Sequence, residues 1–457
     1  MNKNLKKLMA LMLALVLVLA ACGGTTNDTT EPPADDTTDN TDADTTEDEA
    51  DATPLTGSIT VQAEEGWMPY YQAAADKITA ANPDATIEFI QSGAFDHMGI
   101  INETSVTNED VADVFAIPVD QFGQFANNDV LAALDAPGMA AKLGGFDNLD
   151  AGLAGNLKLD DEYLAFPFNI ESLAVFVNTA NAETAGIDHT QPVEMNDTPT
   201  EATVLLPMFD AWYGVAPNLG AGINLLVDNN GTFESTYTGT YEELNETQKS
   251  VFDGLYSYWK RHNDAGTAMF DAEAGWGYID TEFTTGGNGV FRIGGPWDAA
   301  TFQSQAGEGN LEVYPINHIT VAGTPLKHWQ GGWALAINAR VEGDEEKHAL
   351  AEAMIMEIVN PDNAVELFKA TGKILENVPA DVYEGSDLSD IDKKAISQVL
   401  ESFAVSEPRP TFPEFGPVWD TWKNSVLSWN TVNPADPAAA YAEVHAAFTT
   451  MMQQLGQ

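Results

Sequence analysis

Hydrophobic and polar residues alternate in the early part of the chain in a way that predicts a strand, a helix and a second strand in succession. Residues 58–63 and 86–90 alternate with the period of a strand, and apolar residues recur at helical spacing over 69–81. The run VADVFAI at 111–117 predicts a third strand. A strand–helix–strand order predicts a parallel sheet with right-handed crossovers.

Strands and helices continue to alternate along the rest of the chain, which favours the α/β class. The segment 161–178 predicts a hairpin strand, a bend at Pro167 and a strand that crosses to another part of the fold. Further strands are predicted at 311–315 and 328–339. Helices are predicted at 247–262, 279–283, 345–359, 363–370, 389–403 and 437–455.

Polar and aromatic residues follow several predicted strands. Ligands of open α/β sheets bind beyond the carboxyl ends of the strands, so these residues are expected around one crevice. They are Glu64, Glu65, Trp67, Phe95, Asp96, Asp120 and Gln121.

The stretch GVFRIGGPW at 289–297 presents an aromatic ring at a strand end. Its two glycines permit a tight turn and close approach of a ligand, and Pro296 stiffens that turn. The flat face of Trp297 is therefore preset for a ligand with apolar faces, such as a sugar ring, although a core tryptophan that closes a strand fits the same residues.

Composition narrows the ligand classes. The chain has 457 residues, of which 44% are hydrophobic, and a net charge of −51. Such an acidic protein repels phosphate backbones, so nucleic acid is not expected as a partner, whereas neutral or cationic ligands are tolerated. Cys22 is the single cysteine and no metal-binding or nucleotide-binding motif is present, so we expect neither a metal nor a cofactor.

The N-terminus has the pattern of an export signal. Three lysines precede an apolar run that is too short to span a bilayer, and residues 1–21 are predicted to be a signal peptide. The sequence LAAC that ends at Cys22 resembles the lipobox of bacterial lipoproteins, which implies a lipid on Cys22 that attaches the protein to the membrane. Residues 22–57 are acidic and almost free of apolar side chains, which predicts a disordered linker. We expect an extracellular, lipid-anchored protein of a Gram-positive cell.

Five ordered segments together resemble the extracellular solute-binding proteins of sugar-importing ABC transporters, of the maltodextrin-binding kind. The resemblance covers nearly all of residues 58–455. The segments are VADVFAIPVDQFG (111–123), YLAFPFNIESLAVFVN (163–178), GGPW (294–297), GGWALAINA (331–339) and FPEFGPVW (412–419).

The resemblance implies a two-lobed, periplasmic-binding-protein-like α/β fold whose discontinuous lobes are joined by a hinge. Lobe 1 would comprise 58–167 and 328–376, and lobe 2 would comprise 168–320 and 378–455, with crossings near Pro167, Gly323 and Val378. The protein would be a monomer that delivers an oligosaccharide to the transmembrane subunits of an ABC permease.

The resemblance also assigns roles to residues. Asp120 and Glu171 would accept hydrogen bonds from sugar hydroxyls, and Trp297 and Trp419 would stack on sugar rings. Gln121 stands where the family has a basic residue, so this subsite departs from the family pattern. The expected ligand-binding residues are Trp67, Phe95, Asp120, Gln121, Glu171, Trp297, Trp333 and Trp419.

Two other functions use the same residue types. A secreted glycoside hydrolase also needs aromatic side chains and two carboxylates. A binder of cationic solutes, such as polyamines, would hold ammonium groups in an aromatic box with acidic residues.

Overall fold

A computed structural model describes residues 54–146 and 148–456. The predicted signal peptide, Cys22 and most of the predicted linker lie outside the described residues. Ordered contacts begin slightly before Ser58, since the backbone N–H of Leu55 donates to Asn82 Oδ1 at 2.8 Å. Among the described residues, no helix is both long enough and apolar enough to cross a bilayer.

The strands alternate with helices as the sequence predicts. In chain order they are β1 Gly57–Ala63, β2 Ala85–Gln91, β3 Val114–Pro118, β4 Lys158–Leu159, β5 Glu162–Tyr163, β6 Phe166–Glu171, β7 Ala174–Asn178, β8 Val193–Glu194, β9 Val204–Leu205, β10 Val227–Asp228, β11 Phe233–Glu234, β12 Phe291–Gly294, β13 Leu311–Pro315, β14 Ile319–Val321, β15 Thr324–Pro325, β16 Trp329–Ile337 and β17 Glu407–Pro408.

The α-helices lie between these strands and dominate the C-terminal third. They are α1 Met68–Ala81, α2 Ala94–Glu103, α3 Phe122–Asn127, α4 Ala136–Leu143, α5 Thr179–Ala185, α6 Ala211–Gly220, α7 Glu246–Ala265, α8 Gly275–Phe283, α9 Ala299–Ala306, α10 Glu345–Ile358, α11 Ala364–Thr371, α12 Ala380–Glu384, α13 Asp390–Ala404, α14 Gly416–Val432 and α15 Pro437–Gln454.

The first sheet has the strand order β17-β16-β3-β1-β2, with β6 also paired to β16. β1 is parallel to both β2 and β3, which confirms the parallel strands predicted from the early pattern. β16 is antiparallel to β3 and to β6. Its last seven residues are all buried, as expected for a strand inside a sheet covered on both faces.

The second sheet has the order β13-β7-β12-β9. β7 is antiparallel to β12 and to β13, and β9 is parallel to β12. All five residues of β7 and all four of β12 are buried. β12 ends at Gly294, so the sheet delivers the GGPW turn to its edge.

The bend predicted at Pro167 is wrong. Pro167 lies within β6, where it pairs with Ala334, and the register shifts between Trp333 and Ala334. Proline has no N–H to donate to a sheet, and such an irregularity accommodates it. The chain leaves the first sheet after Glu171 and enters the second at Ala174. The lobe boundaries and hinge positions stay predictions.

Candidate functional site

A cavity of about 770 Å³ lies beside the ends of strands from both sheets. This volume is within the usual range for small-molecule sites. Of the residues expected around the crevice, Glu64 lines the cavity, whereas Glu65 and Asp96 do not. All eight predicted ligand-binding residues line it: Trp67, Phe95, Asp120, Gln121, Glu171, Trp297, Trp333 and Trp419.

Trp297 stands on a short 3-10 turn that directly follows β12. A Cβ on Gly295 would lie 2.3 Å from the Trp297 ring, so glycine at this position lets the ring lie against the turn. Asp298 Oδ2 accepts a hydrogen bond from the Gly295 N–H at 3.0 Å, which closes the turn. Trp297 remains 39% exposed, so its ring can contact a ligand.

Gly372 packs directly against the backbone of Trp297. It ends helix α11 with φ +68°, and a Cβ at this position would lie 2.9 Å from Trp297 Cα. Gly372 therefore lets the end of α11 approach the second sheet's GGPW turn.

Asp120 is paired with Arg409. Arg409 Nη2 lies 2.7 Å from Asp120 Oδ1, and the two side chains are 8% and 5% exposed. The guanidinium carbon also lies over two indoles, 4.7 Å from the Trp212 ring and 5.5 Å from the Trp419 ring. The alignment is too poor for a hydrogen bond, and Asp120 Oδ1 and Arg409 Nε are buried with no hydrogen-bond partner among the described residues. We call Arg409, Asp120, Trp212 and Trp419 the arginine cage.

Glu171 faces a second buried cation. Lys373 Nζ lies 3.7 Å from Glu171 Oε1, with both side chains about nine-tenths buried. The ammonium lies over three aromatic rings: Trp333 at 4.7 Å, Trp67 at 5.0 Å and Phe168 at 5.3 Å. Burial lowers the pKa of Lys373, and the negative charges of Glu171 and Glu64 oppose that shift. We call Lys373, Glu171, Trp67, Phe168 and Trp333 the lysine cage.

Sequence reasoning missed both cations and one of the indoles. It treated Asp120 and Glu171 as free acceptors, and it did not include Trp212 among the binding residues, whereas Trp212 is half-buried and lines the cavity. Asp210, which caps α6 at its N-terminus, brings Trp212 into the first turn of that helix. A usable signal was available at Arg409, because it is one of only 19 basic residues and stands between two prolines.

Two further groups on the cavity wall have perturbed acidity. Burial raises the pKa of Asp210. The hydrogen bond of 2.9 Å that Asp210 accepts from the Trp212 N–H opposes this shift. Burial also raises the pKa of Tyr213. Within 54–146 and 148–456, no group of three or more His, Cys, Asp and Glu side chains is placed to hold a metal ion.

The arrangement suits an uncharged molecule with apolar faces and many hydroxyl groups. Indole faces stack on apolar surfaces, and carboxylate oxygens accept hydrogen bonds from hydroxyls. Each of the two predicted carboxylates already has a cation beside it, so binding does not require the ligand to supply a charge.

Three solved structures with a similar fold include complexes with a sugar or a sugar-like ligand. The maltose-binding periplasmic protein MalE of Listeria monocytogenes, in complex with maltose, matches with a TM-score of 0.64 at 16% identity, covering 87% of this chain and 98% of that chain. MalX of Streptococcus pneumoniae, in complex with maltopentaose, matches with a TM-score of 0.65 at 18% identity. The match covers 87% of this chain and 99% of that chain. The GacH receptor of Streptomyces glaucescens, solved unliganded and with acarbose, matches with a TM-score of 0.63 at 18% identity. The match covers 87% of this chain and 99% of that chain.

These likenesses confirm the two-lobed periplasmic-binding-protein-like α/β fold, and at such low identity they show the fold alone. A comparison with curated protein sequences finds no match. The family model described as "Bacterial extracellular solute-binding protein" matches residues 73–394, which is more than half of the chain. On this evidence the chain belongs to the bacterial extracellular solute-binding protein family.

Proposed function

We propose that this protein captures a neutral oligosaccharide outside the cell membrane and delivers it to an ABC importer. The best candidate ligand is an α-glucan of the maltose or maltooligosaccharide type. The observation that carries the proposal is one cavity lined by five tryptophans and two carboxylates that are each paired with a buried cation. The ligands named for the neighbouring structures, maltose, maltopentaose and acarbose, support it.

The expected interactions are sufficient for useful affinity. Each stacked ring contributes on the order of 1 kcal/mol beyond its buried area, by analogy with aromatic pairs. Hydrogen bonds to charged acceptors contribute about 1.5–3 kcal/mol each. After the cost of association, a dissociation constant in the micromolar range, about −8 kcal/mol, is a reasonable expectation.

The buried polar atoms without partners indicate where hydroxyl groups would bind. On the cavity wall, Asp120 Oδ1 is an acceptor and Arg409 Nε is a donor, and neither makes a hydrogen bond in the described part of the chain. Since a buried unpaired polar atom costs about 1–3 kcal/mol, a ligand that pairs these atoms removes that cost as it binds.

Transport would follow from closure of the lobes around the sugar. Lobe 1 would comprise 58–167 and 328–376, and lobe 2 would comprise 168–320 and 378–455. A ligand shifts the equilibrium towards the closed form if it interacts more favourably with that form, as contacts to both lobes would allow. Trp333 lies in a strand of the first sheet, whereas Trp297 follows a strand of the second. The closed monomer would then present both lobes to the permease, held near the membrane by a lipid on Cys22.

A glycoside hydrolase is the second candidate, because burial raises the pKa of Asp210, a carboxyl group on the cavity wall. Such an enzyme needs one carboxyl group that holds a proton and donates it to the leaving oxygen. Asp120 and Glu171 are each paired with a buried cation instead. Incubation with labelled maltooligosaccharides would reveal turnover, and turnover would overturn the binding proposal.

Isothermal titration calorimetry with a glycan panel tests the proposal. The panel contains maltose, maltotriose, maltopentaose and cellotriose, with glucose 6-phosphate as an anionic probe and spermidine as a cationic one. We expect saturable binding of at least one neutral α-glucan, and we expect neither charged probe to bind. Failure of every neutral oligosaccharide to bind would overturn the proposed function.

A further inference from the structure

We propose that Arg409 and Lys373 determine specificity by acting as built-in occupants of two aromatic cages, so that cationic solutes are excluded and neutral ones are accepted. The proposal rests on the proposed function, and concerns how that site discriminates between classes of ligand. It follows from the position of both cations inside the cavity that is expected to hold the sugar.

Each cage has the parts of a site for an organic cation. Aromatic faces attract an ammonium or guanidinium within about 6 Å of the ring centre, and a nearby carboxylate adds to the attraction. The lysine cage provides three rings within 5.3 Å of Lys373 Nζ and a carboxylate at 3.7 Å. The arginine cage provides two rings whose centres lie within 5.5 Å of Arg409 Cζ. It also provides a carboxylate oxygen 2.7 Å from Arg409 Nη2.

In an acidic protein, such cages would otherwise attract soluble cations. The chain carries 70 acidic and 19 basic residues, so its electrostatic potential concentrates cations near the surface. Arg409 and Lys373 are part of the polypeptide, so each side chain has a high effective concentration at its own cage. A free cation would have to displace that side chain in order to bind. Specificity therefore arises from blocking the wrong ligand as well as from contacting the right one.

The same two cations fix the acceptors for sugar hydroxyls. Arg409 lies beside Asp120 from a segment 289 positions further along the chain, and Lys373 lies beside Glu171. Removing either cation would leave a buried carboxylate without its counter-charge, which is strongly unfavourable. Loss of the cation should therefore weaken sugar binding and create cation binding together.

Chemical rescue of two truncation variants tests the inference. Arg409→Ala is titrated with ethylguanidinium, which replaces the lost side-chain end, and Lys373→Ala is titrated with propylammonium. We expect each variant to bind its cation at least tenfold more tightly than the wild-type protein does. We also expect maltotriose affinity to fall at least tenfold in each variant and to recover at least threefold when the matching cation is present.

Arg292→Ala is the matched control. Arg292 is 7% exposed, lies 2.7 Å from Asp280 and 4.1 Å from the Phe302 ring, and does not line the cavity. This variant loses a buried arginine and its ion pair with Asp280, whose side chain is 49% exposed, but its maltotriose affinity should not respond to ethylguanidinium. Circular dichroism verifies that each variant is folded, and the two cages are tested independently.

Folded variants that gain no cation binding would overturn the inference. So would a wild-type protein that binds spermidine in competition with maltotriose, and this measurement needs no variant. The two proposals fail separately, because sugar binding by the wild-type protein tests the function, whereas direct cation binding by the variants tests the cages.

Discussion

Trp333 and Trp297 line the same cavity, yet Trp333 is 7% exposed and Trp297 is 39% exposed. Trp333 lies within β16, between β3 and β6, and its ring contacts Phe95 at 5.2 Å and Lys373 at 4.7 Å. Trp297 is instead held through its backbone, by a proline, a capped turn and Gly372. The difference predicts that the Trp333 indole contributes to the stability of the fold, whereas the Trp297 indole contributes little to it and is available for a ligand.

The largest expected effect is on stability at the buried indole. Trp333→Ala should lower the free energy of unfolding by about 3–5 kcal/mol, because it leaves a cavity in well-packed surroundings. Urea unfolding followed by circular dichroism measures the loss, and Trp333→Phe should lose clearly less. A loss below about 1 kcal/mol would remove the contrast between the two indoles.

The turn that carries the exposed indole should be destabilising at neutral pH. Burial raises the pKa of Asp298 from 3.8 to about 6. Between these values the folded protein holds a proton that the unfolded chain has lost, so stability falls as pH rises and the full penalty applies above about pH 6.

Asp298→Asn should remove this penalty while keeping an oxygen that accepts from the Gly295 N–H. Relative to wild type, the variant should gain at most about 3 kcal/mol at pH 8, since each pKa unit corresponds to about 1.4 kcal/mol, and nothing below pH 3.8. Thermal unfolding of both proteins across this range measures the difference. A gain that does not depend on pH would contradict the assignment to Asp298.

Removal of the exposed indole should affect binding and spare the fold. Trp297→Ala should weaken sugar binding at least tenfold, equivalent to about 1.4 kcal/mol, with little change in melting temperature. Calorimetry with maltotriose measures the affinity, and a thermal scan measures the melting temperature. An unaltered affinity would exclude Trp297 from the site.

The smallest expected effect tests whether backbone contact positions Trp297. Gly372→Ala should cost about 1–2 kcal/mol of stability, as expected for a left-handed residue that gains a Cβ, and should weaken maltotriose binding about fivefold, or about 1 kcal/mol.

Gly266→Ala separates the two causes. Gly266 also ends a helix, with φ +66°, but its Cβ would meet no atom within 4 Å. It should lose similar stability and keep full sugar affinity. Equal affinities for the two variants would show that the Gly372 contact does not position the indole.

The sequence was sufficient for features that depend on local pattern. The pattern predicts a helix over 389–403, and the observed helix α13 begins at Asp390, where the Ser389 side chain accepts a hydrogen bond from the Asp392 N–H. The eight predicted site residues meet in one cavity, and most of them lie at or just beyond the ends of strands that the pattern predicts. Their role in ligand binding stays a prediction.

The remainder depends on chain paths that local pattern does not encode. Nothing near Asp120 in the sequence indicates that Arg409 would lie beside it, because the contact arises only when β17 joins β16. Pro167 was read as a bend by its usual preference, whereas pairing with β16 and a register shift accommodate it within a strand.

β16 also has a consequence for how the chain reaches this structure. It contacts β3, β6 and β17, yet it is reached only after all the strands of the second sheet, β7, β9, β12 and β13, have been passed. Because β17 pairs with β16, the first sheet cannot be completed until about nine-tenths of the polypeptide is available. Such long sequence separations slow folding, and they keep the early strands open to chaperones until the last segments arrive.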